Sequence, residues 1–270
     1  MKIRDLDLNI QITGEGTPFI WAHALMASVE GEDMLDWFGW QSFPKNIKLI
    51  RYDARGHGKS QGSNKPVDYY WKNLGVDQLA VADAVGAQKF IAGGASMGCA
   101  STLFAAVQAP ERIEALVLTL APNAWETSPS QMKNVKVTSA FANLLAPFAG
   151  MIMTNMMKRN KDTLLPKWMT QAHPELLEKM AVGMGSFNQK TASCLMRAGP
   201  GSDIPSREEI ATLVDIPTII LGWVDDSVHP ASTSKELHRI LPKSELFIAN
   251  GYEESRTFPK RIRDFVSKFA

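Results

Sequence analysis

A chain of 270 residues is long enough to bury a large core, and its length and composition fit one domain. With 29 Lys and Arg against 28 Asp and Glu the net charge is +1, a balance that argues against nucleic acid or an anionic membrane surface as partner. Cys99 and Cys194 lie far apart without metal-ligand spacing, and no signal-peptide or lipidation pattern follows Met1, so packed thiols in a cytoplasmic protein are expected rather than a disulfide framework.

In chain order, Leu6, Leu8, Ile10 and Ile12 alternate with polar residues, the period-two pattern of a half-buried strand. Thr13-Gly14-Glu15-Gly16-Thr17-Pro18 reads as a turn, and Phe19-Ile20-Trp21-Ala22 as a short buried strand leading into His23-Ala24-Leu25. Ile47 to Tyr52 predicts another buried strand, which runs into Asp53-Ala54-Arg55-Gly56-His57-Gly58-Lys59-Ser60. From Trp71 to Val85 the residues Leu74, Leu79, Val81 and Val85 recur at roughly helical spacing, and Gly86 can end the helix. Strand, Gly-rich loop and helix alternate in this way up to Ser96, an order that predicts a predominantly parallel sheet in an α/β domain.

Between the apolar run Lys89 to Ala92 and a small-residue helix, Ala100 to Gln108, the stretch Gly94-Ala95-Ser96-Met97-Gly98 reads as G-x-S-x-G in a strand-turn-helix context. A sharp strand-to-helix turn forces the serine into a strained backbone conformation, and the flanking glycines let neighbouring chain approach without a Cβ. Pro110-Glu111-Arg112 stops the helix, and Ile113 to Leu120 predicts a further buried strand. From Asn123 to about Pro200 the strand pattern gives way to helical segments rich in methionine, which predicts a helical cap over residues 123–200 inserted in a core of 1–122 and 201–270. The sheet pattern resumes at Ile216 to Gly222 and at Glu245 to Ala249. A final amphipathic helix carries Ile262, Phe265, Val266 and Phe269 on one stripe. No apolar run is long enough to span a bilayer.

Six of these pieces stand in the order found in the α/β-hydrolase-fold family: His23-Ala24-Leu25, Asp53 to Ser60, Gly94 to Gly98, Ala109-Pro110-Glu111-Arg112-Ile113, Ser202-Asp203-Ile204-Pro205 and Asp226-Ser227-Val228-His229-Pro230. Over nearly its whole length the chain resembles the capped serine-hydrolase type of that family. The resemblance implies a mostly parallel central sheet flanked by helices, with Ser96 as nucleophile, Asp226 as the acid, and the backbone N–H groups of Met97 and Leu25 as oxyanion donors. Asp225 stands beside the acid, and the spacing to His229-Pro230 favours Asp226. Where the family loop usually reads His-Gly, this chain has His23-Ala24. A Cβ there restricts positive φ, so a shifted or narrower oxyanion hole is expected.

The resemblance also implies a histidine just after the last strand, and here Asn250-Gly251 leads into Tyr252. A phenol with a pKa near 10 is a poor general base at neutral pH. His57 belongs to a loop where the family's histidine is structural, His173 precedes Pro174 within the expected cap, and His238 sits beside Glu236 and Arg239 on a solvated helix face. His229 lies three residues beyond Asp226 on the loop expected to border the site. Two readings stand open at this point. In one, His229 serves as general base with Asp226 orienting it; in the other, the chain keeps the pocket but binds its ligand without turning it over. Between them lies a variant of the first in which Ser96 is acylated once and deacylates very slowly, and Tyr252 is left open to a role such as donating a hydrogen bond to a bound ligand.

For an active protein the expected reaction is attack by Ser96 on a carbonyl, by default of an ester, with lactone, thioester or diketone C–C cleavage as relatives. The expected substrate is a small molecule with an apolar acyl or aromatic group. Met151, Met153, Met156 and Met157 with Phe141 and Phe148 are placed to line an adaptable slot, although most are expected to pack the cap onto the core. Tyr252, Met151 and Phe148 are the candidate substrate contacts. Neither a cofactor fingerprint nor a metal spacing occurs, and a homodimer is left open.

Overall fold

The structure, a computed structural model, describes residues 1–128, 165–184, 189–198 and 202–270. At the N-terminus Lys2–Ile3 (β1) and Leu6–Asp7 (β2) form a small antiparallel hairpin. One larger sheet then gathers Ile10–Thr13 (β3), Thr17–Ala22 (β4), Ile47–Tyr52 (β5), Phe90–Ala95 (β6), Ile113–Thr119 (β7), Thr218–Trp223 (β8) and Ser244–Ala249 (β9). Their order is β3-β5-β4-β6-β7-β8-β9; β3 runs antiparallel to β5, and every other neighbouring pair is parallel.

The single strand expected through Leu6, Leu8, Ile10 and Ile12 is therefore two elements. Alternation marks a face but not continuity: Leu8 leaves the hairpin to enter the core, while Ile12 lies exposed on the edge strand.

Alternation along the inner strands sorts their side chains onto two faces. Phe19 and Trp21 of β4, Ile91 of β6, Val117 of β7 and Leu221 of β8 face one layer; Ile20, Ala92, Leu116 and Ile220 face the other. The second face is covered by Trp71–Ala84 (α2), Met97–Gln108 (α3) and the helix Ala231–Ile240, through residues such as Leu74, Leu103 and Leu237. The first is covered by Phe258–Val266 with Trp37, Phe38 and Trp40. Removing the apolar faces of these helices from water is the main stabilising term, about 1.5–3 kcal/mol for each large side chain fully buried. Cys99 and Cys194 are free and buried, and burial pushes the Cys99 thiol up to about 12.

Of the stretch expected to form a cap, the described parts are the helices Lys167–Ala172, Glu175–Met184 and Gln189–Ala198, and none of them adds a strand to the sheet. Met151, Met153, Met156, Met157, Phe141 and Phe148 lie outside the described residues. No helix among the described residues is long and apolar enough to cross a membrane.

Parallel pairing has one consequence for function: the loops that leave β4, β6, β7 and β8 all emerge at the same edge of the sheet. Close approach of α3 to β4 is what that edge requires. A Cβ added to Gly98 would lie 1.9 Å from the Ala22 carbonyl oxygen, and one added to Gly94 would lie 2.4 Å from the Gly98 carbonyl. Both obstacles are backbone and cannot swing away. Gly98→Ala is thus expected to cost about 3 kcal/mol or more. Gly86→Ala, at φ +73° with open space around it, should cost only the left-handed backbone penalty of about 1 kcal/mol. Urea unfolding of the two variants against the parent protein checks the contrast.

Candidate active site

Ser96 sits at the junction of β6 and α3 with φ 54° and ψ −115°, a conformation that an L-residue holds only when its surroundings impose it. Its N–H donates to the Thr119 carbonyl at 3.0 Å, and its own carbonyl accepts from Ala100 N–H at 3.1 Å. The turn is thus pinned by the neighbouring strand on one side and by the helix on the other. Met97 is the first residue of α3, so its N–H has no acceptor within the helix and remains available beside Ser96.

The loop after β8 closes on a single carboxylate. Asp225, exposed and at φ 61°, turns the chain, and Asp226 is buried behind it. Asp226 Oδ1 accepts the N–H groups of Val228 at 2.7 Å and His229 at 3.0 Å, which folds the loop back over the carboxylate. Oδ2 accepts from Trp223 Nε1 at 2.6 Å and faces His229 Nδ1 at 2.9 Å. On the other side of the imidazole, Nε2 lies 2.8 Å from Ser96 Oγ. A carboxylate accepts only, so Nδ1 carries the proton and Nε2 is left to accept from the serine hydroxyl. Burial works to raise the Asp226 pKa, but the bond and charge of His229 and the donated bonds of Trp223 and His229 outweigh it and hold the carboxyl at about 2. Asn123, just beyond β7, braces the same loop by donating its N–H to Val228 O at 2.9 Å and its side-chain amide to Ser227 O.

The loop after β4 is held by a second histidine. Ala54 N–H donates to His23 Nε2 at 2.9 Å, so Nδ1 is the protonated nitrogen and donates to Ala24 O at 2.7 Å. Burial lowers the His23 pKa and keeps the ring neutral, as this pattern requires. The alanine in place of the family glycine does not meet the expected obstacle: positive φ in this loop falls on Met26, at 65°, and Ala24 has none. Asp53 fixes the neighbouring turn, accepting from Val29 N–H at 2.7 Å and Lys59 N–H at 2.9 Å. His57, buried and 5.1 Å from the His23 ring, is driven down to about 3 by burial and by His23. Its Nδ1 lies 3.0 Å from Arg55 O, within a loop anchored by the buried Arg55–Asp77 ion pair at 2.6 Å.

These loops enclose a cavity of about 280 Å³ lined by Ser96 and His229, by Ala24, Leu25 and Met26 of the β4 loop, and by aromatic and aliphatic side chains including Phe38, Leu120 and Trp223. The structure thus brings Ser96, His229, Asp226, Leu25 and Met97 to one edge of the sheet. Tyr252 is different. It is not among the described residues that line this cavity; its ring stacks at 3.8 Å between centroids on His173, the residue that follows the helix Lys167–Ala172. Met151 and Phe148 lie outside the described residues.

Two residues of the site were not singled out by sequence. Trp223 ends β8 and bonds Asp226, and its only prior signal was a tryptophan three residues before the acid at a strand end. Glu32 lines the cavity from Val29–Leu35 (α1) although buried, and burial pushes its carboxyl up to about 7 despite bonds from Trp21 and Trp40 and the charge of Arg51. A glutamate on a short helix carries no sequence mark of burial.

The model of the family described as alpha/beta hydrolase fold matches residues 17–254. Two curated relatives named putative carbamate hydrolase RutD, from Klebsiella pneumoniae (strain 342) and Klebsiella variicola (strain At-22), are each 27% identical over 200 residues, covering 73% of this chain and 71% of theirs. Among solved structures, the enol-lactonase from Burkholderia xenovorans LB400 superposes with a TM-score of 0.80 at 19% identity, covering 98% of both chains. A thermophilic esterase from Thermogutta terrifontis gives 0.76 at 18% identity, covering 98% of this chain and 93% of its own.

The depressed Asp226 pKa makes a stability prediction. Its contribution is fully present above the ordinary carboxyl value near 4 and is lost as the pH falls toward about 2. Asp226→Asn should therefore be less stable than the parent by about 2 kcal/mol at pH 7, and the gap should narrow on acidification below pH ~4. Denaturant titrations at neutral, mildly acidic and strongly acidic pH measure both curves.

Proposed function

This chain belongs to the α/β-hydrolase-fold family, and we propose that within it the protein is a serine hydrolase of small ester-like substrates with an apolar acyl or aromatic group. The observation that carries the reading is the unbroken run from Asp226 through His229 to Ser96, with separations of 2.9 Å and 2.8 Å. In this reading Ser96 Oγ attacks the substrate carbonyl while its proton passes to His229 Nε2. Asp226 keeps Nδ1 protonated and stabilises the imidazolium that forms. The oxyanion is received by the N–H groups of Met97 and Leu25, and the N-terminal end of α3 adds its dipole to the same point. Nε2–H then protonates the leaving group, and water attacks the acyl-enzyme by the same route in reverse.

The lining of the cavity supports an apolar substrate, since most of its described side chains are aliphatic or aromatic. Its volume is near the lower end of small-molecule sites, which favours short acyl groups. Lactonase, esterase and carbamate hydrolase, the activities named for the similar proteins, are all cleavages at an activated carbonyl. Ester, lactone, thioester and carbamate substrates fit the same geometry. The described helices Lys167–Ala172, Glu175–Met184 and Gln189–Ala198 support reading residues 123–200 as a helical cap inserted between 1–122 and 201–270. Two free buried thiols suit work in the cytoplasm.

A p-nitrophenyl acetate or butanoate time course tests the proposal. Ser96→Ala and His229→Ala should each lower kcat roughly a thousandfold or more. Tyr252→His should leave kcat within about threefold, because His229 already occupies the position of a base toward Ser96 while Tyr252 stacks elsewhere. A stable acyl adduct by intact mass, formed without turnover, would instead mean a working nucleophile with deacylation disabled, and neither adduct nor turnover would favour the ligand-binding alternative. A large gain in Tyr252→His would show that His229 is not the base.

A further inference from the structure

Among the described residues that line the cavity, the proposed chemistry leaves one ionisable side chain unused. Glu32 stands in the first half of α1, whose start is fixed by the Ser28 side chain accepting from Gly31 N–H at 3.0 Å and by Asp53 accepting from Val29 N–H. It is buried and lines the same cavity as Ser96 and His229. Trp21 Nε1 donates to both of its oxygens, at 3.0 and 3.1 Å, and Trp40 Nε1 donates to Oε2 at 3.1 Å. Among the described residues it forms no ion pair: Arg51, the cation whose charge reaches it, pairs with Asp33 at 2.8 Å and lies over the Trp40 ring at 5.6 Å.

Two indole N–H groups do not fill the roughly four acceptor positions of a carboxylate. Glu32 therefore keeps acceptor capacity, its orientation is locked by two buried indoles, and apart from Ser96, His229 and the indole N–H groups of Trp37 and Trp223 the other described lining side chains are apolar or glycine. In such a wall a substrate group that donates a hydrogen bond is favoured, and an apolar isostere leaves the carboxylate short of a partner. Burial has already raised this carboxyl to about 7, so each further donated bond stabilises its ionised form.

We propose that Glu32 is the specificity determinant of this cavity, and that the preferred substrate carries a hydroxyl or amino donor on an otherwise short, apolar acyl group, placed to meet Glu32 while its carbonyl meets Ser96. This rests on the hydrolase reading above. A void of about 280 Å³ corresponds to roughly nine water-sized groups, which limits such an acyl group to a short chain or a single ring.

The test compares p-nitrophenyl esters in isosteric pairs: 3-hydroxypropanoyl with butanoyl, 6-hydroxyhexanoyl with heptanoyl, and 4-(hydroxymethyl)benzoyl with 4-ethylbenzoyl. These avoid the hydroxy acids that close readily to five- or six-membered lactones. At least one pair should favour the hydroxyl member by about tenfold or more in kcat/KM with the parent protein. Glu32→Leu should bring that ratio to parity or reverse it, while Glu32→Gln, which retains a carbonyl acceptor, should keep part of it. Near-equal rates within every pair, or a preference unchanged in Glu32→Leu, would overturn the proposal while Ser96-dependent turnover still upheld the hydrolase reading. If no ester is turned over, that reading fails, and titration of the same pairs into Ser96→Ala decides the specificity question: a tenfold difference in Kd upholds it, and parity overturns it. The ratio in the parent protein is decisive even if a Glu32 variant does not fold.

Discussion

The arrangement of the site depends on one carboxylate having four donors. Asp226 could orient His229 only if the loop between them brought the imidazole back over it, and a three-residue separation gives little slack for that. The loop solves the problem with its own backbone: the N–H groups of Val228 and His229 occupy Oδ1, Trp223 shares Oδ2, and the imidazole takes the remaining place. Each donor lowers the free energy of the ionised carboxyl, so the bonds that shape the loop also keep the acid charged at neutral pH. Asn123 carries the same constraint across to the end of β7.

The second half of the geometry is backbone strain supported by close packing. Ser96 holds a φ of 54° because its N–H is bound to β7, its carbonyl begins α3, and α3 presses against β4 at a point that only Gly98 allows. The unfavourable dihedral is thus repaid by burial of the small-residue helix on the sheet. The result is a hydroxyl held 2.8 Å from His229 Nε2 by a turn that is pinned on both sides.

A cavity built from such loops is mostly apolar, which gives any polar group on its wall large leverage. Glu32 is held there by Trp21 and Trp40, themselves part of an aromatic cluster with Phe19 and Phe38 that packs one face of the sheet. The same tryptophans therefore serve core packing and the orientation of a cavity carboxylate. Tyr252, by contrast, is not among the described lining residues of the cavity, and its ring stacks on His173.

Strand periodicity and glycine spacing sufficed for the parallel sheet and the turn at Ser96, because these depend on local sterics and on short-range patterns of burial, whereas the candidates at positions 25, 97 and 226 came from the resemblance in motif order. Periodicity missed the break between β2 and β3, since a hairpin and an edge strand can share one alternating face. Sequence also left His229 undecided between two readings, and it did not mark Trp223 or Glu32. Those outcomes are tertiary: whether an imidazole reaches a serine 133 residues away depends on which loops the parallel sheet brings to one edge and on how a carboxylate distributes its donors. A glutamate becomes a cavity wall only when two distant tryptophans close over it. Spacing along the chain cannot encode such relations, because they are created by the packing itself.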